Sequence, residues 1–103
     1  MSEQPTAYVV DDEESIRSLW DWLLASNGVA VRTFPSAAAF IEAYRRGDAG
    51  CLVLDVRLPG MSGPELQDYL RCEGIELPIV FMSAHSDVRI AVNAMKGGAV
   101  DFI

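Results

Sequence analysis

Positive charge is scarce in this chain of 103 residues, in which 8 Lys and Arg stand against 15 Asp and Glu. The formal net charge of −7 argues against a nucleic-acid surface, because proteins hold phosphate backbones with clustered basic side chains. Long apolar runs are also missing, and the N-terminal stretch MSEQPTAYVV has neither the basic start nor the apolar run of a secretory leader. The composition therefore predicts no direct nucleic-acid binding and no membrane association.

Cysteine is rare as well, with only Cys51 and Cys72, and they form no Cys-x-x-Cys or Cys/His cluster. This scarcity argues against a disulfide framework or a zinc site, and we expect a cytoplasmic, reduced protein in which both cysteines act as small apolar residues. The length allows a single domain, residues 1–103, with one hydrophobic core.

Short apolar runs of strand type alternate with segments of helical period along the whole chain. The strand-like runs begin near Tyr8, Val29, Cys51, Pro78 and Ala99. Four helical segments separate the five runs, an alternation that predicts an α/β fold with a parallel sheet and helices on both of its faces.

Capping residues and apolar stripes mark the predicted helices. Ser36 is suited to begin the second helix, and Ser62 with Glu65 forms a capping-box pattern at the start of the third. The fourth helical stripe comprises Val88, Ala91, Val92 and Met95. The inward stripe predicted for the first helix comprises Ile16, Leu19, Trp20, Leu23 and Leu24, while Trp22 lies off it and Arg17 is expected to face solvent near Asp21.

Acidic and hydroxyl side chains stand where predicted strands end. Asp11 and Asp12 follow the first strand, Asp55 ends the third, and Ser83-Ala84 follows the fourth. In an open doubly wound sheet of flavodoxin-like order, the first and third strands are neighbours, and the ligand crevice lies at their carboxyl ends. We therefore expect the three carboxylates to converge.

Such convergence requires a counterion, because two like charges about 4 Å apart repel by roughly 4 kcal/mol at an effective dielectric constant near 20. Carboxylate oxygens and water suit Mg²⁺, which leaves coordination positions for phosphate oxygens. Alternatively, the acidic run only supplies negative charge to the start of the first helix, the interpretation that we prefer for Glu13 and Glu14. For Asp11 and Asp12 we favour the metal site.

These motifs together resemble the receiver domain of two-component response regulators. The resemblance rests on Asp11-Asp12, Asp55 within LVLDVRLPGMSG, Ser83 within IVFMSAHSD, and the segment GGAVDFI, and it runs over essentially the whole chain. VLDVRLPGMSGPEL and AHSDVRIAVNAMKGGAVDFI are similar to the FixJ-type branch. The fold that this resemblance implies is a flavodoxin-like, five-stranded parallel sheet of order 2-1-3-4-5.

The resemblance implies a role for each residue of the acidic pocket. Asp55 is expected to accept a phosphoryl group from the phosphohistidine of a sensor histidine kinase. Asp12 and Asp55 are expected to bind Mg²⁺ directly, Asp11 through a water molecule, and Arg57 through its main-chain carbonyl.

The relay of the signal is implied for three further residues. Ser83 is expected to turn towards the phosphoryl oxygens, Ala84 to donate its main-chain N–H to them, and Phe102 to rotate inward on phosphorylation. The expected partners are the kinase, an output domain of the same protein, and a second copy of the chain. The resemblance to this branch implies that the output domain is transcriptional, and that the second copy binds through the fourth helix and fifth strand or by exchange of elements.

The chain departs from the family pattern at its end. Receivers carry a Lys after the fifth-strand aromatic and then a fifth helix, whereas this sequence stops at Ile103. The resemblance therefore implies a receiver that is incomplete at its C-terminus, without an output domain and with impaired phosphorylation or switching.

Three other functions fit the sequence less well. A metal-dependent phosphohydrolase needs a second Asp two positions after the nucleophile, where this chain has Arg57. A flavin-binding protein needs a phosphate loop after the first strand, where this chain is acidic. A pseudo-receiver that binds a partner without phosphorylation has the missing Lys as its only support.

Overall fold

The computed structural model describes residues 5–82 and the main chain of residues 101–102. The strands are β1 (Thr6–Val10), β2 (Ala30–Phe34), β3 (Gly50–Asp55), β4 (Ile79–Met82) and β5 (Asp101–Phe102). The described helices are α1 (Glu14–Ser26), α2 (Ala37–Ala43) and α3 (Gly63–Cys72). The predicted fourth helix, around residues 88–95, lies outside the described residues.

All five strands pair in parallel in one sheet, in the order β2-β1-β3-β4-β5. The predicted fold class and strand order are confirmed. β1 lies between β2 and β3, with Val10 opposite Phe34 on one side and Leu54 on the other. This register brings the carboxyl ends of β1, β2 and β3 to the same edge of the sheet.

The larger core covers the sheet face that carries α2 and α3. Tyr8 and Val10 of β1 point into it, as do Leu52 and Leu54 of β3, because alternate residues of a strand share a face. The rings of Tyr8, Phe34, Phe40 and Tyr44 pack there in mostly edge-to-face pairs, 5.3–6.5 Å apart. Helix residues that complete this core are Ala37, Phe40, Leu66 and Leu70.

The opposite face of the sheet carries α1 over Val9, Val53 and Met82. Ile16, Trp20 and Leu24 of α1, spaced four residues apart, contact this cluster. The predicted inward positions of Leu19 and Leu23 are wrong, because these side chains are 55% and 42% exposed and lie on the flank of the helix. Trp22 is exposed as expected.

Local sequence explains where the described helices begin and end. The Ser36 hydroxyl accepts a hydrogen bond from the Ala39 N–H at 3.1 Å, and Ser62 and Glu65 form the reciprocal capping box. Gly28 follows α1 with a φ of 77°, a left-handed conformation that glycine adopts without steric cost. The predicted caps at Ser36 and Ser62 are confirmed.

None of the helices within residues 5–82 combines the length and apolar character that a bilayer crossing requires.

Candidate functional site

The carboxyl edge of the sheet presents two acidic strand ends side by side. Asp11 directly follows β1, and its N–H donates to the carbonyl oxygen of Phe34 at 3.1 Å, which continues the pairing with β2. Asp55 is the last residue of β3, the other neighbour of β1. Parallel pairing of β1 with β3 therefore sets these two carboxylates at one edge.

Asp12 joins them to form an acidic cluster. One carboxylate oxygen from each of Asp11, Asp12 and Asp55 lies within 4.8 Å of the other two. Burial differs across the cluster, since Asp11 is only 4% exposed, Asp55 is half-buried and Asp12 is open to solvent. The predicted convergence of the three carboxylates is confirmed.

Main-chain amides donate hydrogen bonds to the two less exposed carboxylates, Asp11 and Asp55. The Glu13 N–H donates to Asp11 Oδ1 at 2.8 Å, and the Arg57 N–H donates to Asp55 Oδ1 at 3.1 Å. Each bond spans two residues, so each loop that follows a strand folds back on the carboxylate before it. A carboxylate accepts several hydrogen bonds or metal bonds, so these main-chain contacts do not use up the capacity of either side chain to bind a ligand.

Burial and mutual repulsion make the cluster electrostatically unfavourable without a cation. Burial raises the pKa of Asp55 to about 6, the Arg57 N–H opposes the rise, and the charges of Asp11 and Asp12 add to it. Burial also raises the pKa of Asp11, against the hydrogen bond from Glu13. A bound cation lowers both pKa values, because it stabilises the ionised carboxylates.

The donor set fits Mg²⁺, which binds oxygen ligands at about 2.0–2.1 Å in an octahedron. Two oxygens on one such ion are at most about 4.2 Å apart, slightly less than the limit of 4.8 Å that bounds the oxygens of the cluster. Direct binding by two carboxylates, with the third bound through a water molecule, would be compatible with this limit. This is the arrangement that the sequence resemblance implies for Asp12, Asp55 and Asp11.

The loop after β3 depends on a close contact that the sequence did not reveal. Gly63 begins α3 against this loop, and its N–H donates to the Val56 carbonyl oxygen at 3.1 Å. A Cβ atom at Gly63 would lie 2.5 Å from the carbonyl oxygen of Asp55. Lack of space, rather than a left-handed backbone, therefore requires glycine here, and capping signals alone carry no information about it.

The position of Arg17, like those of Leu19 and Leu23, was predicted wrongly. Its guanidinium turns back to the site, where Nη1 donates to the main-chain oxygen of Asp11 at 2.8 Å. The sequence signal for this contact was an acidic loop that begins six residues before Arg17. Whether the arginine reaches that loop depends on how the loop turns in the folded chain. The half-buried Arg17 therefore does not simply face solvent beside Asp21.

The remaining predicted site residues fall partly outside the described residues. Ser83 and Ala84 follow Met82, which pairs with Asp55, but they lie outside the described residues. The main chain of Phe102 belongs to β5 and pairs with Phe81, and its side chain is not among the described parts. Arg57 is exposed next to the site.

Comparison with known proteins places the chain among one family. The family model of the response regulator receiver domain matches residues 7–103. The C4-dicarboxylate transport transcriptional regulatory protein DctR of Rhodobacter capsulatus is 47% identical over 100 residues, covering 95% of this chain and 51% of DctR. The transcriptional regulatory protein FixJ of Azorhizobium caulinodans is 45% identical over 103 residues, covering 100% of this chain and 49% of FixJ.

Solved structures agree with these relatives. The response regulator StyR superposes with a TM-score of 0.91 at 49% sequence identity, over 97% of this chain and 50% of that one. This chain spans about half the length of the curated relatives named above.

Proposed function

Because this chain belongs to the response regulator receiver domain family, we propose that it is a phosphorylation-controlled switch in which Asp55 accepts a phosphoryl group from a sensor histidine kinase. The observation that carries the proposal is the cluster of Asp11, Asp12 and Asp55, whose carboxylate oxygens lie within 4.8 Å of one another. Asp55 is the member that ends a central strand and has its main chain enclosed by the loop and α3.

The proposed reaction is an in-line displacement at phosphorus. The second oxygen of ionised Asp55 attacks the phosphohistidine, the new O–P bond forms, and the P–N bond breaks with its electron pair going to the imidazole nitrogen. The Arg57 N–H meanwhile holds Asp55 Oδ1. Mg²⁺ bound by Asp11, Asp12, Asp55 and the Arg57 carbonyl would supply charge neutralisation, the main requirement of phosphoryl transfer.

Relay of the phosphorylated state is proposed for residues at the ends of β4 and β5. Ser83 would donate a hydrogen bond to the phosphoryl group, the Ala84 N–H would donate another, and Phe102 would turn inward. Pairing of Met82 with Asp55 supports this proposal, because it brings the end of β4 beside the acceptor. We further propose that residues 1–103 act as one receiver unit.

The wider partners follow from the same family. The relatives DctR and FixJ are named transcriptional regulators and are about twice as long as this chain, which supports a transcriptional output domain in the whole protein. Homodimerisation through the fourth helix and β5, or by exchange of elements, stays a prediction. Both cysteines are free thiols, which supports a reducing, cytoplasmic location. The chain would promote the formation and loss of its own aspartyl phosphate and would not act as an ordinary enzyme.

Intact-mass measurement with a small phosphodonor tests the acceptor directly. We expect acetyl phosphate with MgCl₂ to add one phosphoryl group to the wild type and none to Asp55→Asn, and the product to be cleaved by hydroxylamine, as an acyl phosphate is. Asp21→Asn, on the exposed face of α1, is the matched control and should be labelled like the wild type. Equal labelling of Asp55→Asn would refute Asp55 as the acceptor.

Two alternative functions predict different results. A phosphorylation-independent pseudo-receiver would show no labelling of the wild type at any Mg²⁺ concentration. A phosphohydrolase would release phosphate from a stable phosphomonoester over many turnovers. That reaction needs an acid-base group two positions after Asp55, and the exposed Arg57 at this position is not one.

A further inference from the structure

The Asp11–Asp12 peptide is held by a side chain from the next helix. Arg17 lies in α1, and its Nη1 donates to the main-chain oxygen of Asp11 at 2.8 Å. Its own N–H donates to the Glu13 carbonyl oxygen at 3.1 Å, so the residue is anchored in the first turn of the helix. The arginine thus links the first turn of α1 to the loop that precedes the helix.

Asp11 is consequently fixed at three separate groups. Its N–H bonds to the Phe34 carbonyl oxygen, its side-chain Oδ1 accepts from the Glu13 N–H, and its carbonyl oxygen accepts from Arg17. A peptide unit is planar, so the orientation of the Asp11 carbonyl also sets the direction in which Asp12 leaves the strand. Asp12 is exposed, and the peptide before it is therefore important for its orientation.

We infer that Arg17 is a positioning residue, which holds the Asp11–Asp12 peptide so that both carboxylates face Asp55 at a spacing suited to a divalent cation. This inference rests on the proposed function, since it concerns the same Mg²⁺ site. It assigns Arg17 no contact with the ion or with the phosphoryl group.

The charge of Arg17 makes the inference testable by the sign of the effect. A guanidinium near the acidic cluster repels a cation, so a purely electrostatic role predicts that removal of Arg17 tightens Mg²⁺ binding. Positioning predicts the reverse, because release of the peptide lets the carboxylates move apart under their own repulsion. Residues that orient metal ligands typically change metal affinity by about 10–100-fold when they are replaced.

The experiment is a Mg²⁺ titration of the ¹⁵N-labelled chain, followed through the amide shifts of Asp12, Glu13 and Arg57. We expect Arg17→Met to weaken binding by about tenfold, and Arg17→Lys, which keeps the charge and one class of donor, to recover part of the loss. Arg45→Met is the matched control, because this exposed arginine lies between α2 and β3 at the opposite edge of the sheet. The Mg²⁺ affinity of this variant should stay within about twofold of wild type.

Each alternative outcome is separable. Tighter binding by Arg17→Met would mean that only charge matters, and unchanged affinity with lower stability would mean a purely structural role; either result overturns the inference. If Arg17→Met does not fold, the neutral Arg17→Gln, too short to reach the same carbonyl, is judged by the same criteria. Absence of Mg²⁺ binding by the wild type would instead overturn the metal site of the proposed function.

Discussion

At the scale of single residues, the acidic pocket combines groups that oppose one another. Asp55 is half-buried beside two further carboxylates, and these surroundings raise its pKa to about 6. The Arg57 N–H relieves only part of this penalty. A carboxylate kept in such a position costs folding free energy, a cost that is consistent with a site built for a cation and an incoming phosphoryl group.

Replacement of Asp55 by Asn should therefore stabilise the metal-free protein at neutral pH. The pKa in the folded state is raised above the unfolded value, so the native state binds more protons between pH 4 and 6, and the wild type loses stability as pH rises through that window. Because the side chain is only half-buried, we expect a gain of about 1 kcal/mol in the free energy of unfolding at pH 7 and almost none near pH 3.

Urea unfolding at several pH values measures this difference. Asp21→Asn removes the same charge from an exposed position on α1 and serves as the control for net charge. A difference between Asp55→Asn and wild type that does not vary between pH 4 and 7 would contradict the assigned cause.

At the scale of elements, the start of α3 and the end of β3 act as one unit. The capping box of Ser62 and Glu65 determines where the helix begins, and Gly63 allows that beginning to touch the carbonyl oxygen of Asp55. Helix packing thereby limits how far the acceptor loop can move. The close contact couples the stability of α3 to the geometry of the site.

Gly63→Ala should both destabilise the protein and disturb the site. The added methyl group meets main-chain atoms of Asp55 and Val56, and overpacking of this kind costs about 1–3 kcal/mol. Gly28→Ala is an informative control, because its φ of 77° is strained for alanine while a Cβ there meets nothing within 4 Å.

Both variants are expected to lower the thermal midpoint of unfolding, but only Gly63→Ala should slow phosphorylation of Asp55 under conditions in which each remains folded. Phosphorylation rates from intact-mass time courses provide the measurement. An equal effect of the two variants on the rate would argue that loss of stability alone is responsible.

At the scale of the whole molecule, a central parallel sheet is covered by one large core and one smaller one. The larger core joins β1 and β3 to α2 and α3, and the smaller core lies under α1. The net charge of −7 belongs to the whole chain, and three of its carboxylates lie together in the acidic cluster at the sheet edge. Cation binding and global stability are therefore linked.

Mg²⁺ should raise the free energy of unfolding beyond the effect of salt. An ion that binds only the folded state at ten times its dissociation constant contributes about 1.4 kcal/mol. We expect this gain for wild type in MgCl₂ relative to NaCl of equal ionic strength, and a clearly smaller gain for Asp12→Asn, which lacks one carboxylate of the cluster. Thermal unfolding followed by circular dichroism measures this gain. Identical gains in wild type and Asp12→Asn would exclude the acidic cluster as the Mg²⁺ site.

Much of this architecture was predictable because its signals are local. The alternation of strand-like and helical segments predicted the parallel sheet, and the positions of Asp11, Asp12 and Asp55 at strand ends predicted the acidic cluster. Caps at Ser36 and Ser62 were also readable, since a cap involves residues only three positions apart. The roles of Ser83, Ala84 and Phe102 stay predictions.

The sequence by itself determined the order of elements and placed the carboxylates at strand ends, because strand period, helical period and capping follow from neighbouring residues. The general order of a doubly wound parallel sheet then brings those strand ends together. Only the tertiary structure decided that Arg17 turns back to Asp11, that Leu19 lies on an exposed flank, and that Gly63 touches Asp55. These contacts depend on how a loop turns and how closely a helix packs. Such distances arise only when the whole chain has folded, and no local pattern of residues encodes them.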